Sequence, residues 1–266
     1  MNNKILKKPL VSVIMNCHNG ETYLNESIKS IINQTYKNWE LIFWDNFSTD
    51  NSKKVLENFK DKRIKYFKAS RFTSLYEARN LSIEKSNGEY VSFLDTDDLW
   101  KEDKIEKQVY FLQKNGEFKI VYSNYFILDE KKNKEYIKHK ISLPSGSITQ
   151  KLLDYYSLGI LTVFLEKKFF QEFKFNKEYN VIGDFDFFIN LSKKFKIASI
   201  QEPLAIYRVH GSNFSTKKIN VYIKELDSWI KMNEKMLINN GFSLKKQKLF
   251  LKKLKIKYFF KKFFKF

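Results

Sequence analysis

Three carboxylates crowd one short stretch, Phe93-Leu94-Asp95-Thr96-Asp97-Asp98, directly after an apolar run that reads as a buried strand. Like charges this close repel, and some are driven to the protonated form unless a cation joins them. Carboxylate oxygens are hard ligands that suit Mg2+ or Mn2+ bridging to phosphates. The same acids would equally serve as an N-cap cluster for a helix starting near Lys101. In Trp44-Asp45-Asn46-Phe47-Ser48-Thr49-Asp50, Asp45 is placed to accept hydrogen bonds from a base or ribose, or to act as a turn residue. Arg79, in Glu77-Ala78-Arg79-Asn80, sits on a helix where a lone arginine is ordinarily solvated. Gly183-Asp184-Phe185-Asp186 opens a helix, a position where the dipole favours acids for purely structural reasons. Tyr207-Arg208-Val209-His210-Gly211 offers a guanidinium for a pyrophosphate and an imidazole for a metal.

These residues need a scaffold that gathers them. Leu10 to Met15 is a buried-strand run, and Glu21 to Gln34 repeats apolar residues at a helical period. Trp39 to Trp44 is a second strand, followed by a helix over Thr49 to Lys60 with Ser48 as its N-cap. Arg63 to Phe67 (strand), Ser74 to Ser86 (helix) and Tyr90 to Leu94 (strand) complete a β-α-β-α-β-α-β alternation in the first hundred residues. That rhythm predicts a parallel sheet covered by helices on both faces, with ligands at the carboxyl ends of its strands. After Asp98 the spacing predicts helices over Lys101 to Lys114, Asp184 to Phe195 and Thr216 to Asn239. Strands are expected over Phe118 to Leu128 and Lys134 to Lys140, with further strand-like runs at Ile160 to Leu165 and Ile197 to Val209.

The chain has 266 residues and is 43% hydrophobic, which excludes a disordered polymer. No apolar run approaches the ~18 residues needed to cross a bilayer. Met1 to Lys8 carries lysines but no apolar segment before Pro9, so no signal peptide is expected and a cytosolic protein is the simplest reading. The single cysteine, Cys17, excludes a disulfide framework and a cysteine-rich metal site. The formal net charge is +19, and ten of those charges are lysines between Leu244 and Phe266, a segment without an acid; the rest of the chain keeps +9. The tail interleaves its lysines with aromatic and aliphatic residues, and Leu251, Leu254, Tyr258 and Phe259 fall on one helical face. Lysines beside such a face suit an anionic membrane surface, while packing on the domain and nucleic-acid binding are the alternatives.

Taken in order, these stretches resemble the family 2 glycosyltransferases, which have a GT-A type nucleotide-sugar fold. The resemblance is carried by Leu10-Val-Ser-Val-Ile, Asn33-Gln34-Thr35-Tyr36, Asp45 to Asp50 with Ser52, Ala78-Arg79-Asn80, Gly88-Glu89-Tyr90 and Leu94-Asp95-Thr96-Asp97-Asp98. Weaker echoes continue at Gly183 to Asp186 and Tyr207 to His210, to roughly residue 215. It implies an α/β fold with a mostly parallel central sheet flanked by helices, a transferase domain over 1–215 and a C-terminal helical region with a basic aromatic tail over 216–266.

By that resemblance Asp45 contacts the nucleobase, uracil, and Asn19 and Arg79 help bind the nucleotide. Asp95 meets the ribose and sugar, and Asp97 meets the divalent cation, Mn2+ or Mg2+, that bridges the diphosphate. Asp98 supports that site. Asp184 is the catalytic base, with Asp186 in the same motif, and Arg208 and His210 close over the diphosphate and the metal. Three departures stand out. Asn16-Cys17-His18-Asn19 replaces Pro-Thr-Tyr-Asn, with His18 as a substitute stacking surface. Asn46-Phe47 replaces Asp-Gly, and Gly183 replaces an acid.

The function implied is inverting transfer from a UDP-sugar to a glycan or lipid-linked acceptor in bacterial surface-glycan synthesis. The protein would lie at the inner face of the cytoplasmic membrane, held through Leu244 to Phe266, with no nucleic acid partner. The alternatives are transfer to a polyprenyl phosphate, a non-catalytic basic module that binds membrane or nucleic acid, and an inactive relative of the family.

Overall fold

The computed structural model describes residues 8–211, 213 and 218–263, the last three by backbone only. The leader reading before Lys8, the first two residues of the helix expected from Thr216, and tail residues 264–266 lie outside that set.

Branched and aromatic runs make the first strands: β1 (Val11–Cys17), β2 (Trp39–Asp45), β3 (Ile64–Lys68) and β4 (Tyr90–Phe93). They lie parallel in the order β3-β2-β1-β4, with Cys17 beside Asp45 and Ile14 beside Phe93. Their carboxyl ends therefore share one edge, and the loops carrying Asn19, Asp45 and Asp95 emerge together there. The linking helices are α1 (Glu21–Ile32), α2 (Ser52–Glu57) and α3 (Leu75–Glu84). In β1, Val13 and Met15 join one apolar cluster and Ile14 the other, the period-2 alternation of a sheet buried on both faces.

Past β4 the sheet becomes mixed. β5 (Leu99–Trp100) follows the acidic turn, and the chain continues through α4 (Lys104–Lys114), β6 (Ile120–Asp129) and β7 (Lys134–Ile137). The expected strand at Ile160 to Leu165 is instead a 3-10 turn over Ile160–Thr162 followed by β8 (Phe164–Glu166), antiparallel to β4. β9 (Ala198–Val209) runs parallel to β6 and antiparallel to β5, with Leu99 opposite Ile206. This last pairing brings the acidic turn against the end of β9, where Arg208 and His210 lie.

The remaining helices are α5 (Thr149–Asp154), α6 (Phe169–Glu172), α7 (Gly183–Ser192), α8 (Ile219–Asn239) and α9 (Lys245–Phe263). α8 buries Ile223, Leu226, Trp229, Ile230 and Leu237 in the same cluster as Phe185 and Phe187 of α7. α9 lays Leu251, with Leu254 and Tyr258 at its margin, onto that cluster. Lys246 and Lys255 pair with Asp154 and Asp227 at 2.8 and 2.6 Å. The face that the sequence directs at a bilayer is thus turned mostly toward the protein. Phe259, expected on it, is 54% exposed instead, together with Leu249, Phe250, Ile256 and Phe260.

One local expectation fails for a clear reason. Ser48 does not cap α2, which begins at Ser52. Its hydroxyl accepts from the Asn19 amide N–H at 3.1 Å, and its own N–H donates to Asp45 Oδ1 at 2.7 Å. Asp50 turns the chain into the helix by accepting from the Ser52 N–H at 3.0 Å.

Candidate active site

The acidic turn is fixed from three sides. Gly20 lets the β1–α1 turn approach it: a Cβ there would stand 2.8 Å from Thr96 Oγ1. From α1, the Ser27 hydroxyl lies 2.8 Å from the carbonyl oxygens of both Thr96 and Asp98. From β9, the Arg208 N–H donates to Asp98 Oδ1 at 3.0 Å and its Nε donates to the Asp97 carbonyl at 3.0 Å.

Within this frame the three acids have different fates. Asp95 is partly exposed and takes an ion pair from Arg79 Nη2 at 3.0 Å. Arg79 is buried beneath it, with the Tyr76 ring 5.4 Å and the Phe93 ring 6.0 Å from the guanidinium carbon. Asp97 Oδ2 lies 2.9 Å from His210 Nε2 and 3.4 Å from Asn213 Nδ2. Burial and the neighbouring Asp95 push the Asp97 carboxyl up, while His210 opposes the shift. Asp98 is fully buried, and burial followed by the charge of Asp97 pushes it well above the usual carboxylate range. Asp98 is therefore a positioning residue for β9.

Asp97 and His210 converge from separate elements as a carboxylate and an imidazole. Among the described residues no group of three or more His, Cys, Asp or Glu gathers around a cation position. A Mg2+-like ion that keeps waters and substrate phosphates needs only one or two protein carboxylates, a need that Asp97 meets, and the His210 imidazole adds a nitrogen donor beside it. Asn213 was not singled out by the sequence reading, although it stands three residues after His210. Its side chain accepts from the His210 N–H at 2.6 Å and donates to the Arg208 carbonyl at 3.0 Å, fixing the loop that presents the imidazole.

Several implied donor contacts are engaged within the protein. Arg208 is buried, with Nη1 on Glu130 at 3.0 Å, Nη2 on Glu26 at 2.5 Å and the Tyr23 ring 4.5 Å below the guanidinium. Its charge is held by these two carboxylates, one from α1 and one from the turn after β6. Asp45 is also buried: besides Ser48 it receives the Tyr66 hydroxyl at 2.7 Å. Asn19 adopts a left-handed φ of 55°, and its amide oxygen accepts from the Thr49 N–H at 2.8 Å and the Asp50 N–H at 3.3 Å. It shapes the loop that would hold a base. Asn46 accepts from the Thr73 hydroxyl at 2.8 Å and donates to its carbonyl at 2.9 Å, so its side chain is committed inside the protein. Phe47 has φ 67°, a conformation that suits the glycine usual there and is strained for a phenylalanine. His18 remains exposed with its ring 4.5 Å from that of Phe72.

Asp184 opens α7 against Tyr76 of α3. The Tyr76 hydroxyl lies 2.9 Å from the Val181 carbonyl and 3.2 Å from Asp184 Oδ1. Gly183 exists for this contact, since a Cβ there would meet the Tyr76 ring at 2.5 Å. Burial raises the Asp184 carboxyl and the nearby charge of Arg79 opposes that. Arg79 thus sits between the acidic turn, through Asp95, and the candidate base. Tyr76, Arg79 and Ile83 share one face of α3 at i, i+3, i+7, the signal by which Tyr76 was findable. Asp186 faces the other way, accepting from Trp229 Nε1 at 2.7 Å and from Asn190 at 3.2 Å; it ties α7 to α8.

Residues 12–196 match the sequence profile of Glycosyl transferase family 2. The chain is 34% identical over 224 residues to the Escherichia coli UDP-Glc:alpha-D-GlcNAc-diphosphoundecaprenol beta-1,3-glucosyltransferase WfgD, covering 82% of this chain and 84% of that protein. Its fold is similar to S. aureus TarS 1-349 in complex with UDP (TM-score 0.65, 17% identity, 81% of this chain and 65% of that one). It is similar too to the mannosyltransferase PcManGT from Pyrobaculum calidifontis in complex with GDP-Man and Mn2+ (TM-score 0.63, 15% identity, 85% and 65%). At these identities the two structures bear on the fold alone, which is GT-A.

Proposed function

The chain belongs to glycosyl transferase family 2, and from that premise we propose that it is an inverting transferase. It moves a hexosyl or N-acetylhexosaminyl group from a UDP-sugar to a hydroxyl of a glycan or lipid-linked acceptor in bacterial surface polysaccharide or lipooligosaccharide synthesis. The observation that carries this reading is the convergence of Asp97 with His210 beside the Arg79–Asp95 pair, with Asp184 on the far side of Arg79. The relationship to WfgD supports the UDP-sugar donor and the lipid-linked class of acceptor.

Asp97 and His210 would hold a divalent cation, Mn2+ or Mg2+, which when bound supplies positive charge against the leaving diphosphate. Asp95, fixed by Arg79, faces the ribose and sugar, while the loop laced by Asn19, Asp45 and Asn46 receives the base. Asp184 removes the proton from the acceptor hydroxyl as that oxygen forms its bond to the anomeric carbon. The bond from that carbon to the diphosphate oxygen breaks on the opposite face, and UDP leaves with the electron pair. The configuration is therefore inverted. A panel of nucleotide-sugars with Mn2+ or Mg2+ and sugar acceptors, read by the anomeric coupling of the product, tests this. UDP-sugar turnover abolished by a chelator, with an inverted product, is expected. Retention of configuration sinks the mechanism.

The protein would act at the inner face of the cytoplasmic membrane. No helix among the described residues is long and apolar enough to cross a bilayer, and the outward face of α9 combines Phe250, Phe259 and Phe260 with lysines. A lysine near an anionic surface contributes about 1 kcal/mol. Replacing Lys252 and Lys253 with Gln in the full chain should therefore weaken sedimentation with phosphatidylglycerol vesicles by roughly 30-fold. Unchanged vesicle binding refutes the membrane role. These substitutions keep Leu251 and Gln247, which α9 buries.

A further inference from the structure

Tyr23 lies in the first turn of α1, half-buried, and three elements meet at its ring. Its hydroxyl donates to Glu130 Oε2 at 2.7 Å, in the turn after β6. The Arg208 guanidinium carbon stands 4.5 Å from the ring centroid, and Glu26, three residues further along α1, pairs with that same guanidinium. Tyr23 and Glu26 thus work as one helix face, at spacing i, i+3. A ring tied at its hydroxyl and covered by a cation is a fixed surface rather than a freely turning side chain. The His210 imidazole rests against it, with ring centroids 4.8 Å apart and planes tilted by 51°. That imidazole presents Nε2 to Asp97 Oδ2 at 2.9 Å. Asn213 anchors the His210 backbone N–H at 2.6 Å, but a backbone anchor leaves the side-chain torsions open. The contact with Tyr23 acts on the imidazole ring itself.

We propose that Tyr23 is a positioning residue for the divalent cation: its ring seats the His210 imidazole so that Nε2 faces the Asp97 carboxylate. This rests on the reading above that Asp97 and His210 hold Mn2+ or Mg2+. Tyr23 acts through His210 and needs no contact of its own with ion or donor. An aromatic face restrains a neighbouring ring by contact alone. The one polar atom of the Tyr23 side chain is committed to Glu130, so it does not compete for the imidazole. Partners that orient a ligating histidine are typically worth 10–100-fold in metal affinity, about the size of effect expected here.

The test measures Mn2+ affinity of the full chain with UDP present, from the paramagnetic resonance signal of free Mn2+, with no turnover required. Tyr23→Leu should weaken Mn2+ binding by roughly 10–100-fold, while metal-free UDP affinity stays within about twofold. Tyr23→Phe loses only the tie to Glu130 and should recover most of the Mn2+ affinity. Tyr23→Met replaces Tyr23→Leu if the latter does not fold. His210→Ala should weaken Mn2+ binding at least as far, and adding Tyr23→Leu to it should cost nothing more. Such non-additivity marks an effect carried through His210, whereas a purely structural role gives additive losses. The chain has three histidines, so the His210 ring resonances are assignable by their loss in His210→Ala. In the metal-free protein they should show a nuclear Overhauser contact to the Tyr23 ring. Unchanged Mn2+ affinity without the Tyr23 ring, additive losses, or no contact between the two rings overturns the proposal and leaves His210 a metal ligand. Unchanged Mn2+ affinity in His210→Ala overturns the metal assignment, and the proposal falls with it.

Discussion

Asp184→Asn lowers the turnover of sugar transfer by roughly 10²–10⁴-fold, the usual worth of a positioned general base, while donor binding stays near wild type. The substitution keeps the shape of the side chain and an oxygen that can still accept from Tyr76, so the 3.2 Å contact beside Gly183 is preserved. What is removed is the capacity to take a proton. Burial raises the Asp184 carboxyl and Arg79 pulls it back. A carboxylate acts as base only when ionised, so transfer should fall as pH drops through a midpoint above the ordinary aspartate range. That acidic limb should vanish in the variant's residual activity. Turnover close to wild type, or an unchanged acidic limb, would remove Asp184 from the base role. Asp186 provides the contrast. Its hydrogen bonds go to Trp229 and Asn190, so Asp186→Asn should affect the docking of α8 more than the chemistry.

The first hundred residues were legible because their physics is local. Branched apolar runs such as Val11–Cys17 alternate with helices of ordinary period, and a parallel sheet with a common carboxyl edge follows. The acidic turn was legible for the same reason, being contiguous with β4. What stayed hidden depended on contacts distant in sequence. Ser48 reads as a helix cap until Asn19 reaches it across 29 residues. Arg208 reads as a guanidinium for a pyrophosphate, and nothing local shows its pairing with Glu26, 182 residues away, or with Glu130 in what reads only as a hairpin turn. The α9 periodicity correctly marked an apolar face at Leu251, Leu254 and Tyr258, but period alone does not say whether protein or lipid covers it. The departures at Asn46 and Gly183 became intelligible only with their partners, Thr73 and Tyr76, in view.

The acidic turn carries the second large expected effect. Asp97→Asn should reduce transfer by at least about 10²–10³-fold, the scale for losing one preorganised electrostatic contact to a developing anion. It should also erase the stabilisation that Mn2+ with UDP gives in a thermal melt. A ligand at ~100 times its dissociation constant adds ~2.7 kcal/mol to stability, so the lost shift is measurable. Asparagine retains a carbonyl oxygen for Asn213 Nδ2 and nearly the same volume, so the change isolates charge from shape. The apo protein should not suffer: Asp97 is partly buried among like charges, and removing its charge relieves Asp95 and the fully buried Asp98. A variant that melts at or above the wild-type temperature without ligand, yet gains nothing from Mn2+ and UDP, is the signature of a carboxylate kept for a cation. If Asp97→Asn retains the Mn2+-dependent shift, Asp97 and His210 do not hold the metal, and the contact between them is a structural hydrogen bond.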